Sequence, residues 1–284
     1  MNIFDLLDKD RDINEEFEAI QKLFASKLIY AITNYGFRQE NNSFTLENIA
    51  DRHFCSWKNN CRAVNCSHFR DKLNKIISKF TTDVEKMIIL LEYYVNIIHF
   101  VVSLPIIQNK VCEFGNNFLI LSKNIDEFLE YVNYEKFFED DRILLIPKNP
   151  GVTKVAEITV NKYDNVVVAN DILKYNHYLL NGNIEEKRKI LYSISHTYEN
   201  FLHNHKTNGY SKEFAMVSFL LNNYNIRHDN KTENRKRKFI ADLTDKELET
   251  IYDKTYQLIL FCILSEENDK IMKEFEEMKK KAEN

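Results

Sequence analysis

The chain has 284 residues, of which 44% are hydrophobic, and its formal net charge is −4. Such a length and composition are typical of one or two globular domains with an ordinary hydrophobic core. The small negative charge excludes a chain-wide attraction to nucleic acid, so any such attraction must come from a local basic cluster. Because the chain contains only 5 Gly and 3 Pro, we expect a mainly α fold.

The sequence has the features of a cytoplasmic protein. Its first ten residues lack the basic start and the apolar core of a signal peptide. The most apolar run, Met87 to Leu104, contains Glu92 and ends before Pro105, which favours a core helix over a membrane span. We therefore expect no membrane partner.

Three parts are predicted along the chain, and the first, residues 1–110, is a helical domain. Its apolar residues recur at helical spacing, and Thr82 with Glu85 has the spacing of a capping box. A polar connection separates the early from the late helices. The helices expected here run from Ile3 to Leu7, Glu15 to Tyr35, Phe69 to Phe80 and Asp83 to Leu104, and the connection from Asn41 to Phe54.

The second part, residues 111–160, is predicted to be a small β-α-β insert in the middle of the chain. Short apolar runs at Phe118 to Leu121 and Ile143 to Ile146 are typical of buried strands. A helical pattern from Asn124 to Phe138 lies between them, and a further helix is expected over Val152 to Ile158.

The third part, residues 161–284, is predicted to be a helical bundle. Asp164 to Leu180 looks helical, although the valines at 166–168 leave a strand open as an alternative. Asn183 with Glu186, and Thr244 with Glu247, predict two helix starts. The tail from Glu266 to Lys281 is almost wholly charged, and we interpret it as a solvated extension or as a helix that binds a partner.

Cysteine and histidine are concentrated in one stretch of the first part. Thiolates and imidazoles that lie as close together in sequence as they do in this stretch are able to bind zinc. The paired CxxC knuckles of common zinc modules, however, are missing. Reduced, partly buried thiols are therefore the favoured interpretation, and we expect no metal and no cofactor. The residues concerned are His53, Cys55, Cys61, Cys66 and His68.

Histidines also cluster near the end of the helix that Asn183 opens. His196, Glu199 and His203 project from one side of a helix, and His205 follows. A carboxylate that orients an imidazole suits general acid–base chemistry. The alternative is an exposed polar face with ordinary titration.

An apolar helix pattern beginning at Ser211 runs into Arg227 and His228. On a continuous helix His228 would share the inner face with Phe214, and antiparallel packing would place Arg227 near the start of the preceding helix. A histidine and a cation can serve RNA cleavage as base and as stabiliser of the phosphorane charge, whereas the structural alternative is a helix C-terminal cap. The basic cluster that follows, either RNA-binding or merely solvated, contains Lys231, Arg235, Lys236, Arg237 and Lys238.

The segments KYNHYLLNGNIEEKRKILYSISHTYENFL, FLLNNYNIRHDN and IYDKTYQLILFCIL resemble helical domains of prokaryotic HEPN-type and abortive-infection proteins, over Asp171 to Leu264. The resemblance implies a helical bundle, often dimeric, that acts in phage defence as a metal-independent ribonuclease. The family signature is an Arg, a polar residue and a His four to six positions on; Arg227 is instead followed at once by His228, and Arg62 with His68 has that spacing elsewhere. Inactive members of such families bind partners, so a non-catalytic sensor or interaction protein is the alternative.

Overall fold

A computed structural model of the chain describes residues 12–32, 38–204, 211–228 and 242–283. The predicted helix from Ile3 to Leu7 and the basic cluster at 231–238 lie outside these ranges. The contacts divide the chain into two compact units, Met1–Lys148 and Asn149–Asn284, whereas the sequence predicted boundaries near residues 110 and 160. The described residues are mainly helical, which confirms the predicted fold class.

The first unit combines helices with two small sheets. Strands β1 to β3 form an antiparallel sheet in the order β2-β1-β3, and β4 and β5 form a hairpin. The helices are α1 (Ile13–Phe24), α2 (Leu46–Arg52), α3 (Cys66–Ile77), α4 (Asp83–Ser103), α5 (Pro105–Gln108) and α6 (Asn116–Tyr131). The strands are β1 (Ile29–Ile32), β2 (Arg38–Phe44), β3 (Cys112–Phe114), β4 (Tyr134–Glu139) and β5 (Arg142–Pro147).

Helix α4 is the central core helix of this unit. Among the described residues it alone has the length and composition of a membrane span. More than half of its most apolar stretch is buried within the protein. Its polar residues bind the hairpin: Glu92 accepts a hydrogen bond from the Leu145 N–H at 2.8 Å, and the Asn96 amide pairs with both backbone groups of Ile143. The polar residues that interrupt the apolar run therefore satisfy backbone groups that the sheet leaves unpaired.

Two predictions for the first unit are wrong and one is confirmed. The helix expected to reach Tyr35 ends at Phe24, and β1 then pairs with both β2 and β3. The run Phe118 to Leu121, expected as a strand, lies in α6, where Leu121 is buried while Leu119 is exposed. The strand expected at Ile143 to Ile146 is confirmed as part of β5.

The second unit is entirely helical among its described residues. Asn183 caps α9 through the Glu186 N–H, and Thr244 with Glu247 forms a complete capping box at α12, as predicted. Residues 166–168 are helical, so the strand alternative is wrong. The helices are α7 (Pro150–Tyr163), α8 (Val166–Lys174), α9 (Ile184–Thr197), α10 (Glu199–Asn204), α11 (Ser211–Asn223) and α12 (Asp245–Ala282).

One hydrophobic core holds this bundle together. It is formed by side chains from α7 to α12, among them Ile172, Leu191 and Ile259, all essentially inaccessible to solvent. Two buried tyrosines, Tyr175 and Tyr256, stack in its centre with ring centroids 3.9 Å apart, and the Tyr256 hydroxyl donates to the Ile172 carbonyl at 2.7 Å. This core fixes the ends of α9 and α11, where the candidate site lies.

Candidate functional site

The candidate site lies where α9 ends and α10 begins. Tyr198 separates the two helices, and its side chain is buried. Burial raises the pKa of Tyr198 to about 12. Because the Thr159 hydroxyl already donates to the Val155 carbonyl, the Tyr198 hydroxyl is the donor in the 2.7 Å bond between them. This anchor fixes the position of His196 and Glu199 on either side of the break.

The chain that follows α11 turns back toward the same place. Helix α11 ends at Asn223, and Asn225 adopts a positive φ of 59°, a conformation that asparagine tolerates better than most residues. Ile226 is completely buried, and the Tyr252 hydroxyl donates to the Tyr224 carbonyl at 3.1 Å. Arg227 and His228 therefore follow a turn with defined packing and are not part of the helix.

Arg227 joins this turn to the end of α9. Its Nη2 donates to the Ser195 carbonyl at 3.2 Å, its Nε lies 3.4 Å from Ser195 Oγ, and its Nη1 lies 4.0 Å from Glu199 Oε1. The side chain is only 11% exposed. A guanidinium at a helix C-terminus satisfies a carbonyl and complements the helix dipole, so Arg227 stabilises the end of α9.

The groups around Arg227 are much more exposed. His196 Nδ1 lies 3.9 Å from Glu199 Oε2, and the two side chains are 74% and 50% exposed. The ring of Tyr192 is parallel to that of His196 with centroids 6.2 Å apart, and Tyr192 is itself half exposed. We call Arg227, Ser195, His196 and Glu199 the Arg227 cluster. The cluster presents an imidazole and a carboxylate to solvent beside a nearly buried cation, and Tyr192 adds an exposed aromatic face next to it.

This arrangement corrects the expectations for the Arg–His pair. His228 was expected to face the interior, but it is exposed, because the helix ends five residues earlier and the turn at Asn225 changes its direction. Arg227 was expected near the start of α9 and instead contacts its end, since α10 is separated from α9 by the break at Tyr198. The structural alternative, a helix C-terminal cap, is realised by Arg227 on α9 rather than on its own helix.

The two predicted histidine-containing groups thus come together in part. His196 and Glu199 share the Arg227 cluster with Arg227, while His205 and the basic cluster at Lys231 to Lys238 lie outside the described residues. Sequence reasoning missed Ser195 and Tyr192. Each lies four residues before one of the two expected residues, Tyr192 before His196 and Ser195 before Glu199. This spacing suggests a shared helix face, but only the position of the turn that carries Arg227 shows that this face forms the cluster.

The cysteine-rich stretch does not form a metal site among the described residues. No group of three His, Cys, Asp or Glu side chains there is arranged to hold a metal ion. Cys66 is buried, and burial is the main cause that raises the pKa of its thiol, whereas Cys55 and Cys61 are exposed. Arg62 lies in a turn with a positive φ of 58°, and His68 lies in the first turn of α3, so this pair does not lie on one helix.

A second polar cluster in the bundle was not predicted. Lys187 is 5% exposed, and its Nζ lies 2.8 Å from Glu249 and 2.7 Å from Asp253. Burial raises the pKa of Glu249, but the hydrogen bonds from Lys187 and the Gly182 N–H, with the charge of Lys187, outweigh burial and leave the pKa lower than that of an ordinary glutamate. A buried lysine held by two carboxylates links α9 to α12 and is a structural feature of the fold.

Comparisons of the chain with protein-family models, with curated proteins and with solved structures give no match. The HEPN-type resemblance therefore stays a prediction from the sequence.

Proposed function

We propose that the chain is an endoribonuclease of prokaryotic phage defence that cleaves RNA at the Arg227 cluster without a metal ion. The observation that supports this proposal is an exposed imidazole, His196, within 3.9 Å of the Glu199 carboxylate and beside an arginine. These are the group types that phosphodiester cleavage in RNA requires. The defence role and the independence from metal are implied by the HEPN-type resemblance.

In this reaction a base removes the proton of the 2′-hydroxyl, the 2′-oxygen attacks the adjacent phosphorus, and an acid protonates the 5′-oxygen that leaves. His196, oriented by Glu199, is assigned as the base. His228, exposed and adjacent to Arg227 in the chain, is assigned as the acid. The products are a 2′,3′-cyclic phosphate and a 5′-hydroxyl.

Arg227 has a positioning role in this proposal. Its guanidinium is nearly buried and bonded to Ser195, so it holds the end of α9 and the Glu199 carboxylate in place. The positive charge at the phosphate is then assigned to the basic cluster that starts at Lys231, three residues after His228 in the sequence. Tyr192 provides an exposed ring on which an unpaired base can stack.

The test is incubation of the purified full chain with total cellular RNA in excess EDTA. The proposal predicts fragments that end in a cyclic phosphate, and it predicts that single-stranded DNA, which has no 2′-hydroxyl, stays intact. RNA left uncut would refute the nuclease. Cleavage of DNA at a similar rate would contradict attack by the 2′-oxygen.

The second candidate is a non-catalytic protein that acts through a partner. The observation that favours it is an exposed row of apolar side chains on the last turns of α12, including Ile271 and Phe275. Its test is a measurement of binding rather than of cleavage.

A further inference from the structure

Helix α12 continues far beyond the core of its unit. Its last buried side chain is Ser265, and every side chain from Lys270 to Glu283 is exposed. The thirteen helical residues from Lys270 to Ala282 extend about 20 Å. A helix of this length is marginally stable in water unless one of its faces packs against something.

The exposed part of α12 has an apolar face with a heptad repeat. Its large apolar side chains are 41 to 63% exposed, and the charged residues expected from the sequence lie between them. With Phe275 at position a, Ile271 and Met278 occupy position d, Asn268 and Ala282 occupy position a, and Met272 occupies position e. This is the pattern of a coiled-coil seam.

The remaining heptad positions support the same assignment. Positions b, c and f, which face away from the seam, are all charged between residues 266 and 283. The repeat also continues backward into the bundle, where Phe261 falls at position a and is 45% exposed. Leu264 falls at position d but packs against the core of its own unit. Residues 261–282 span three heptads, about 33 Å of helix.

We propose that this face binds the same face of a second copy of the chain as a parallel two-stranded coiled coil. Parallel pairing sets Asn268 at position a against its copy, so that two amides hydrogen-bond to each other across the seam. In antiparallel pairing Asn268 would instead face Met278, an apolar side chain. A polar residue at a single a position favours parallel alignment and fixes the register.

The charges beside the seam are complementary in the same orientation. In a parallel pair, position g of one helix faces position e of the next heptad on the other helix. Glu274 at position g therefore faces Lys279 at position e, twice by symmetry. In the antiparallel arrangement with matching seams, Glu274 would face a second Glu274, which is repulsive.

A lipid surface is a poorer fit for this face. Helices that lie on anionic membranes carry a polar face rich in Lys and Arg. The polar face of α12 contains Glu276 and Glu277 together with its lysines. A second copy of the chain would bury the apolar seam and would pair acidic with basic side chains beside it.

Dimer formation supplies the partner for the second candidate function and does not depend on RNA cleavage, so a size measurement tests it separately. Light scattering of the full chain during gel filtration should give twice the chain mass of 33.9 kDa. Phe275→Glu should give the monomer mass with unchanged circular dichroism, because Phe275 is 60% exposed and contributes little to the core. Lys273→Glu, at position f on the polar face, is the matched control and should stay dimeric.

The orientation is tested by exchanging charges. Glu274→Lys and Lys279→Glu should each weaken the dimer by at least tenfold in dissociation constant, and the double variant should recover most of the loss. Single variants that form dimers with the same dissociation constant as the unsubstituted chain would overturn the parallel arrangement. An unsubstituted chain that is monomeric at 100 µM, or that sediments with phosphatidylserine vesicles through Phe275, would overturn the dimer.

Discussion

The guanidinium of Arg227 donates to the main-chain carbonyl of Ser195 at 3.2 Å, across 32 residues of sequence. This bond joins the turn after α11 to the end of α9 and places Arg227, the chain neighbour of His228, beside Ser195 and Glu199. An arginine used in this way has a structural contribution that can be measured apart from any activity.

Arg227→Ala should lower the free energy of unfolding of the C-terminal unit by about 1 to 2 kcal/mol, since it leaves a nearly buried carbonyl without its charged donor. His228→Ala should change it by less than about 0.5 kcal/mol, because the side chain is exposed. Urea unfolding followed by circular dichroism measures both. Equal effects of the two substitutions would contradict the structural role assigned to Arg227.

Lys187 gives a second prediction, because it is nearly buried between Glu249 and Asp253. Lys187→Met should lower the free energy of unfolding at pH 7 by about 2 to 4 kcal/mol, since two carboxylates lose their partner. Lys189→Met is the matched control: Lys189 is exposed and pairs with Glu186 on the same helix, so its loss should cost less than about 0.5 kcal/mol.

The effect of Lys187→Met should also depend on pH. The pKa of Glu249 is lowered in the folded chain, so its contribution to stability is fully present above the pKa of an ordinary glutamate and is lost as the pH falls through the lowered pKa. The difference in stability between the unsubstituted chain and Lys187→Met should therefore shrink in acid. A difference that stays constant from pH 7 down to pH 3.5 would mean that the Lys187–Glu249 pair contributes little.

Tyr198→Phe should remove the hydrogen bond to Thr159 and keep the packing of the ring. The expected loss of unfolding free energy is about 1 kcal/mol, typical of one buried hydrogen bond. Because Tyr198 fixes the break between α9 and α10, the same variant should also increase hydrogen exchange of the amides at the start of α10. Unchanged exchange there would contradict its role as the anchor of the site.

Local signals in the sequence were sufficient for the helix starts. Thr244 with Glu247 and Asn183 with Glu186 place a side-chain acceptor three residues before an N–H, and both caps occur as expected. Such caps need no information from distant parts of the chain.

Non-local relationships could not be predicted in the same way. The strand at Ile29–Ile32 depends on partners at Arg38–Phe44 and Cys112–Phe114, the latter some 80 residues away in sequence. The apolar periodicity of Glu15 to Tyr35 therefore predicted one long helix. The predicted position of Arg227 was wrong for a related reason. The observed position depends on the positive φ of Asn225 and on the break between α9 and α10 at Tyr198, and helical periodicity indicates neither of them.

In the proposed mechanism, His196 transfers a proton during RNA cleavage. The most direct measurement is the single-turnover rate of cleavage of a short single-stranded RNA in excess EDTA, by the unsubstituted chain, by His196→Ala and by the control His53→Ala, whose histidine lies in the other unit. We predict that His196→Ala reduces the rate by about 10² to 10⁴-fold with unchanged circular dichroism, and that His53→Ala cleaves normally. A His196→Ala chain that cleaves at the unsubstituted rate would contradict the account.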